Sequence, residues 1–373
     1  MSHRRFLHPC RSLQRGRCAA LGVLICVFAA ANSSAQTSST PTYSGRAYVV
    51  QATVPPLAPI TVSDTQKLPS TGGAQDASLL EVQPIPVGNV GAVNGADVAS
   101  ATAVAQGNDS RSAASVADLS LTVAGNTVSA DFLMSEAAAE CQGSNASASG
   151  NSQLASLVIN GQTITVSGAT NQTVQFPAGA GYVVINEQSS SNNGSSGGMD
   201  VSALHVVANN PTMPGGAPLA DVVVSHAHAD ISCPASPAPP PPCSTVTTDF
   251  VTGGGWIVSP SDPNAKANFA VAGGKDGTWG HLMYLDHGKN MRVKGIAALH
   301  YGPYMLFGAN GRFTDGTADV DDTTETYEAD VADNKEPGIG ADQFQLKLNG
   351  ATDPVASNYL AGGNIQLHKP QCQ

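Results

Sequence analysis

Apolar and polar residues exchange places at every second position along most of this chain, and no other feature constrains its fold as much. The pattern runs through residues 45–54 (GRAYVVQATV), 115–123 (SVADLSLTV), 126–133, 157–166, 181–186 (GYVVIN) and 221–231, each bounded by turn-forming residues. Successive side chains of a strand point to opposite faces, so period two predicts half-buried strands; a helix would need apolar residues three and four apart. Asn160-Gly161, set between Leu157-Val158-Ile159 and Thr163-Ile164-Thr165-Val166, predicts a tight hairpin, because a two-residue type I′ turn needs positive φ at both central positions. Residues 97–106 (DVASATAVAQ) fit helix or strand and are read as strand, and 189–198 (SSSNNGSSGG) as a flexible loop tip between strands. The C-terminal half repeats the style in 249–258, 268–272, 280–286, 291–300, 305–307, 318–320, 325–331 and 343–348. Many short strands at this spacing predict a sandwich or a barrel. Charged residues are only 12% of the 373, with 39 glycines and 24 prolines, a poor fit to a coiled coil or an ordinary helical enzyme.

The first 35 residues hold five of the nine arginines and no acid, followed by the apolar stretch 18–31 and then Ser33-Ser34-Ala35. This reads as a cleaved signal peptide over 1–35, and its apolar stretch is shorter than the ~20 residues of a spanning helix, so no transmembrane segment is expected. Cleavage leaves 12 bases against 28 acids, a net of −16, which excludes nucleic acid and anionic membrane as partners. It also leaves four cysteines, Cys141, Cys233, Cys243 and Cys372, which in an exported chain predict two disulfides with three connectivities open.

Six of the nine residues between Cys233 and Cys243 are proline, predicting an extended linker over 234–243. The flanks differ: 36–233 holds five aromatics and three bases, 244–373 twelve and nine. The expectation is an all-β chain of two β-sandwich or jelly-roll-like domains, 36–233 and 244–373, joined by that linker. Cys243 and Cys372 bracket the second domain and would pair there, leaving Cys141 for Cys233.

Three strings are candidates for chemistry. In His226-Ala227-His228-Ala229-Asp230, the residues at 226, 228 and 230 share one face of a strand, and imidazole and carboxylate are ordinary zinc ligands. The string is similar to the signature of the metallo-β-lactamase fold, although Ile231 stands where that family usually has His and the chain lacks its strand–helix alternation. The competing reading is the solvent-facing end of an edge strand. Asp319, Asp321 and Asp322, in a longer acidic run, offer the oxygen ligands of calcium, or else a solvated hairpin loop. Trp256, Trp279 and Tyr284 make either an aromatic platform for a glycan or peptide, or part of a β core. Gly194-Ser195-Ser196-Gly197-Gly198 lacks the strand and helix of a nucleophile elbow, and Leu68-Pro69-Ser70-Thr71-Gly72 lacks what makes such a string a sorting signal.

The strings 114–130 (ASVADLSLTVAGNTVSA), 157–161 (LVING), 181–188 (GYVVINEQ), 201–207 (VSALHVV) and 220–231 resemble the choice-of-anchor P family of exported bacterial proteins. The second half, with 251–257 (VTGGGWI), Asn268-Phe269, Glu336-Pro337-Gly338, 342–344 and 362–366 (GGNIQ), is similar to the post-COAP domain that commonly follows such modules. The resemblance implies an exported, cell-surface or matrix-associated β protein and carries over no catalytic residues. The expected function is non-catalytic adhesion, binding of an extracellular glycan or protein, or a structural role. The alternative is a secreted zinc hydrolase using His226, His228 and Asp230.

Overall fold

The computed structural model describes residues 40–212, 215–235, 249–274, 279–352 and 358–369. The signal peptide, most of the proline-rich linker and the Cys243–Cys372 pairing lie outside them. The described residues form three antiparallel sheets, with two single-turn 3₁₀ helices as the other regular structure. The chain is all-β.

The first sheet has seven strands. Six run in the order Gln172–Gln175, Gly181–Asn192, Ser196–Ala208, Ala220–Ser232, Arg46–Thr53 and Ile60–Asp64, with Thr42–Tyr43 added to Ala220–Ser232. The middle sheet has eight, in the order Gln162–Thr163, Val158–Ile159, Asn126–Gln142, Asp109–Val123, Gly91–Gln106 and Gly73–Val82, with Ile85–Val87 and Asn145–Ala155 off that path. These two sheets face one another across a core in which Val50, Leu204, Val222 and Val224 meet Val93, Val116, Leu121 and Leu133. The Cys141–Cys233 disulfide links the ends of the strands Asn126–Gln142 and Ala220–Ser232, across the same interface.

The third sheet has nine strands, from Ala351–Thr352 through Gln343–Leu348, Thr323–Ala332, Gly311–Val320, Met291–Pro303, Gly280–Asp286, Lys266–Gly274 and Phe250–Val258 to Gly362–His368. It rolls on itself. The Phe269 and Phe344 rings stack with centroids 4.0 Å apart although several strands separate them in the sheet. The roll closes where the Ile365 N–H donates to Asp342 Oδ2 at 2.9 Å and the Leu367 N–H to Asp333 Oδ2 at 2.8 Å. Of sandwich and barrel, the second half takes the barrel-like form.

The middle sheet is covered on both faces. Ala99, Ala101, Val116 and Leu133 face the first sheet, while Val98, Ala117, Phe132 and Met134 pack with Ala270, Met283 and Leu285 of the rolled sheet. A strand buried on both sides loses its alternation of polarity, which is why 97–106 reads ambiguously. Small side chains permit the close approach: a Cβ at Gly254 of the rolled sheet would stand 2.5 Å from Ser115 Oγ of the middle one.

The first and middle sheets each bend along one rung. Register places Ser63, Val49, Ser225, Ala203 and Asn186 side by side in the first sheet, and every second one is left-handed: Ser63 (φ 46°), Ser225 (φ 54°) and Asn186 (φ 53°). In the middle sheet the corresponding rung is Glu81 (φ 52°), Asp97, Asp118 (φ 49°), Asp131 and Ser156 (φ 55°). The bend advances the inward set by one residue, so Val224 and Ser225 are both buried.

Several local expectations change. Residues 305–307 form a 3₁₀ turn with Met305 and Leu306 exposed, because they connect two strands at the rim. The strands Gly181–Asn192 and Ser196–Ala208 run almost to the tip of 189–198, leaving a short turn where a flexible loop was expected. The hairpin at Asn160 (φ 50°) and Gly161 (φ 75°) forms, but only Val158–Ile159 and Gln162–Thr163 are strand. Leu68, in the sortase-like string, is buried in the core shared by the first and middle sheets.

Candidate functional site

His226, His228 and Asp230 stand on the outer face of Ala220–Ser232, with Ala227 and Ala229 fully buried on the other. The strand is not at an edge, as the sequence suggested, because it pairs on both sides, and those neighbours supply the partners: Ser202 and Tyr48 lie opposite His226, and Asp200 and Arg46 opposite His228. His228 Nδ1 meets Asp200 Oδ1 at 2.8 Å, its Nε2 lies 3.6 Å from Asp230 Oδ2, and Ser44 Oγ donates to Asp230 Oδ2 at 2.6 Å. Hydrogen bonds to Asp200 and Asp230 raise the His228 pKa to about 9, so it is an imidazolium at neutral pH. His226 stacks on the Tyr48 ring at 4.6 Å, and burial pushes its pKa down to about 4. The structure therefore aligns the three residues in a row rather than converging them: one imidazole is charged between two carboxylates and the other lies against a tyrosine. A second pair of carboxylates holds His205, whose Nδ1 meets Glu187 at 2.9 Å and Nε2 Asp221 at 3.1 Å.

The acidic run is used for turn-making. Asp319 Oδ1 accepts the Asp322 N–H at 2.9 Å and Asp321 Oδ1 the Arg292 N–H at 3.0 Å, while Asp321 (φ 45°) and Asp322 (φ 69°) form the two-residue turn joining their strands. The aromatic residues are dispersed. Tyr284 is inside the rolled sheet, Trp256 packs at its junction with the middle sheet beneath Lys266 Nζ, and Trp279 sets its edge against Phe250.

A cleft lies between the middle sheet and the rolled sheet. Two adjoining cavities of about 210 Å³ and 300 Å³ share Arg111, Glu336 and Gln366 in their walls. Arg111 is held by Asp109 at 2.8 Å and Glu140 at 3.0 Å. The buried Asn364 amide donates to Glu136 Oε1 at 2.7 Å and Glu336 Oε2 at 2.6 Å. Burial raises the Glu136 pKa, and burial with the nearby Glu136 charge takes Glu336 to about 7. A carboxyl poised near neutrality beside a cavity can exchange protons with a bound group.

The bent rung of the middle sheet carries a further cluster. Its outer acids each meet a base of the rolled sheet: Asp131 meets Lys266 at 2.7 Å and Glu81 meets Arg292 at 3.3 Å. Between them, Asp97 and Asp118 share one imidazole: His287 Nε2 lies 2.7 Å from Asp97 Oδ2 and 3.6 Å from Asp118 Oδ2. Asn268, fully buried, adds its amide, with Nδ2 at 3.0 Å from Asp118 Oδ2 and 3.5 Å from Asp97 Oδ2. Among the described residues, Asp97, Asp118 and His287 are the group of His, Cys, Asp or Glu side chains whose ligand atoms all fall within 4.8 Å of one another. Burial, a hydrogen bond that protonated Asp97 donates to Asp118, and the Asp118 charge lift the Asp97 pKa to about 6. No local string announces this cluster, because its members come from four strands or strand ends and meet only through the register of one sheet and the docking of another. The cleft carboxylates are hidden for the same reason.

No protein-family model, curated protein or solved structure matches the chain.

Proposed function

We propose that this is an exported, non-catalytic β protein of the cell surface or extracellular matrix, acting by adhesion, by binding a glycan or protein, or as a structural element. The observation that carries the reading is the His-x-His-x-Asp row, whose chemistry is spent within the fold. A metal ion needs ligand atoms that converge on one point, and here the carboxylates sit on opposite nitrogens of His228, Asp200 at Nδ1 and Asp230 at Nε2. The arginine-rich N-terminal segment with its following apolar stretch, and the Cys141–Cys233 bridge, support export.

The test pairs two assays on the full chain. Arrayed glycans and extracellular-matrix proteins are screened for saturable binding, and ester, amide and lactam substrates for turnover, with His226→Ala/His228→Ala and Glu336→Gln variants alongside. Binding without turnover supports the reading. Saturable turnover abolished by the histidine double substitution would replace it with the zinc hydrolase, and turnover abolished by Glu336→Gln would place an active site in the cleft.

A further inference from the structure

We infer that Asp97, Asp118, His287 and Asn268 bind one divalent transition-metal cation, which clamps the middle sheet to the rolled sheet. Two observations carry this beyond a cluster of acids. The first is a charge deficit at one place on the rung. Asp131 and Glu81 each face a base of their own, Lys266 and Arg292, whereas among the described residues Asp97 and Asp118 together face a single imidazole.

The second is a conflict among donors and acceptors. His287 Nε2 sits 2.7 Å from Asp97 Oδ2, a hydrogen bond only if Nε2 carries the proton. The same Nε2 is 3.2 Å from Asn268 Nδ2, a contact that is favourable only if Nε2 has none. Meanwhile Asn268 Oδ1 is buried with no hydrogen-bond partner, while Nδ2 of the same amide faces the carboxylates. Turning the amide over brings Oδ1 among the carboxylates, where it is repelled unless a cation lies between them. With the Asn268 amide turned over, two carboxylate oxygens, an imidazole nitrogen and an amide oxygen would all direct lone pairs at a cation placed between them. Nitrogen together with oxygen suits zinc, manganese or a neighbouring transition ion; calcium takes oxygen ligands alone. Two ligands come from the middle sheet and two from the rolled one, so the ion bridges layers from chain segments far apart in sequence. The His287 side chain is 40% exposed, which gives the ion a path in.

The experiment is a Zn²⁺ titration of the full chain after metal stripping, read by stoichiometry and by Tm, with Ca²⁺ in parallel. One zinc per chain and a saturable rise in Tm are expected, with little response to calcium. Asp118→Asn and His287→Ala should each weaken zinc about tenfold or more. Asp118→Asn also removes like-charge repulsion, so that variant should fold without metal at a Tm no lower than the stripped parent. His226→Ala/His228→Ala should leave the zinc response unchanged. Absence of stoichiometric zinc, a calcium response equal to zinc's, or binding that survives Asp118→Asn and His287→Ala but is lost in the His226/His228 variant would each overturn the inference.

Discussion

At the scale of single residues, burial and partners drive ionisable groups in opposite directions, and the signs can be followed. The His228 pKa is raised from 6.5 to about 9 by Asp200 and Asp230. A base with a raised folded pKa stabilises fully below its unfolded value and loses that contribution as pH climbs through the folded one. Asp200→Asn should therefore lower Tm at pH 6, and the gap to the parent should close by about pH 9. Thermal melts across that range check it, and a pH-independent gap would mean that packing rather than charge holds the row. Glu336 behaves inversely. Its folded pKa of about 7 lies above the ordinary 4.5, so the folded state binds the proton more tightly and stability falls as pH rises between those values. Glu336→Gln should leave Tm unchanged near pH 4 and raise it near pH 8; the same melts measure both. A lower Tm at pH 8 would show that the ionised carboxylate is wanted there, for instance by Asn364, which donates to it at 2.6 Å.

At the scale of strands, the limits of the sequence follow from what each strand touches. Where one face met a core and the other met water, alternation marked the strand, as in Ala220–Ser232 with its buried Ala227 and Ala229. Asn145–Ala155 carries the same alternation over its first half in alanine, serine, glycine and asparagine, whose polarity contrast is too small to stand out. The His-x-His-x-Asp row was legible as a row, but its partners, Asp200 on the neighbouring strand and Ser44 in the link between two others, are revealed only by pairing. The Cys141–Cys233 bridge is present as expected from the bracketing of the second half by the other two cysteines. It closes a loop of sequence separation 92 between two sheets, so in the chain-entropy account its main effect is on the unfolded state. A Cys141→Ala/Cys233→Ala variant should lose about 2–4 kcal/mol, read as a lower denaturant midpoint. A midpoint within error of the parent would show that packing between Asn126–Gln142 and Ala220–Ser232 already holds these ends together.

At the scale of the whole molecule, the middle sheet decides how the halves behave. Composition splits the chain at the proline-rich segment into two parts, each large enough for a core. The middle sheet, however, has no solvent face of its own to spare: Val98, Ala117, Phe132 and Met134 are buried only because Ala270, Met283 and Leu285 cover them. Parting the halves would expose this apolar patch and at once strand Asp131 without Lys266 and the Asp97–Asp118 pair without His287 and Asn268. Both penalties fall on the same surface, so neither half should unfold while the other stays native. Calorimetry of the full chain should show one transition whose calorimetric and van't Hoff enthalpies agree. Met283→Asp, which buries a charge opposite Phe132 and Met134 without touching the rolled sheet's inner core, should uncouple the halves and split that transition in two. Two transitions in the unaltered chain would instead mean that the contact between middle and rolled sheets is too weak to join them, and that the linker sets the unit of folding.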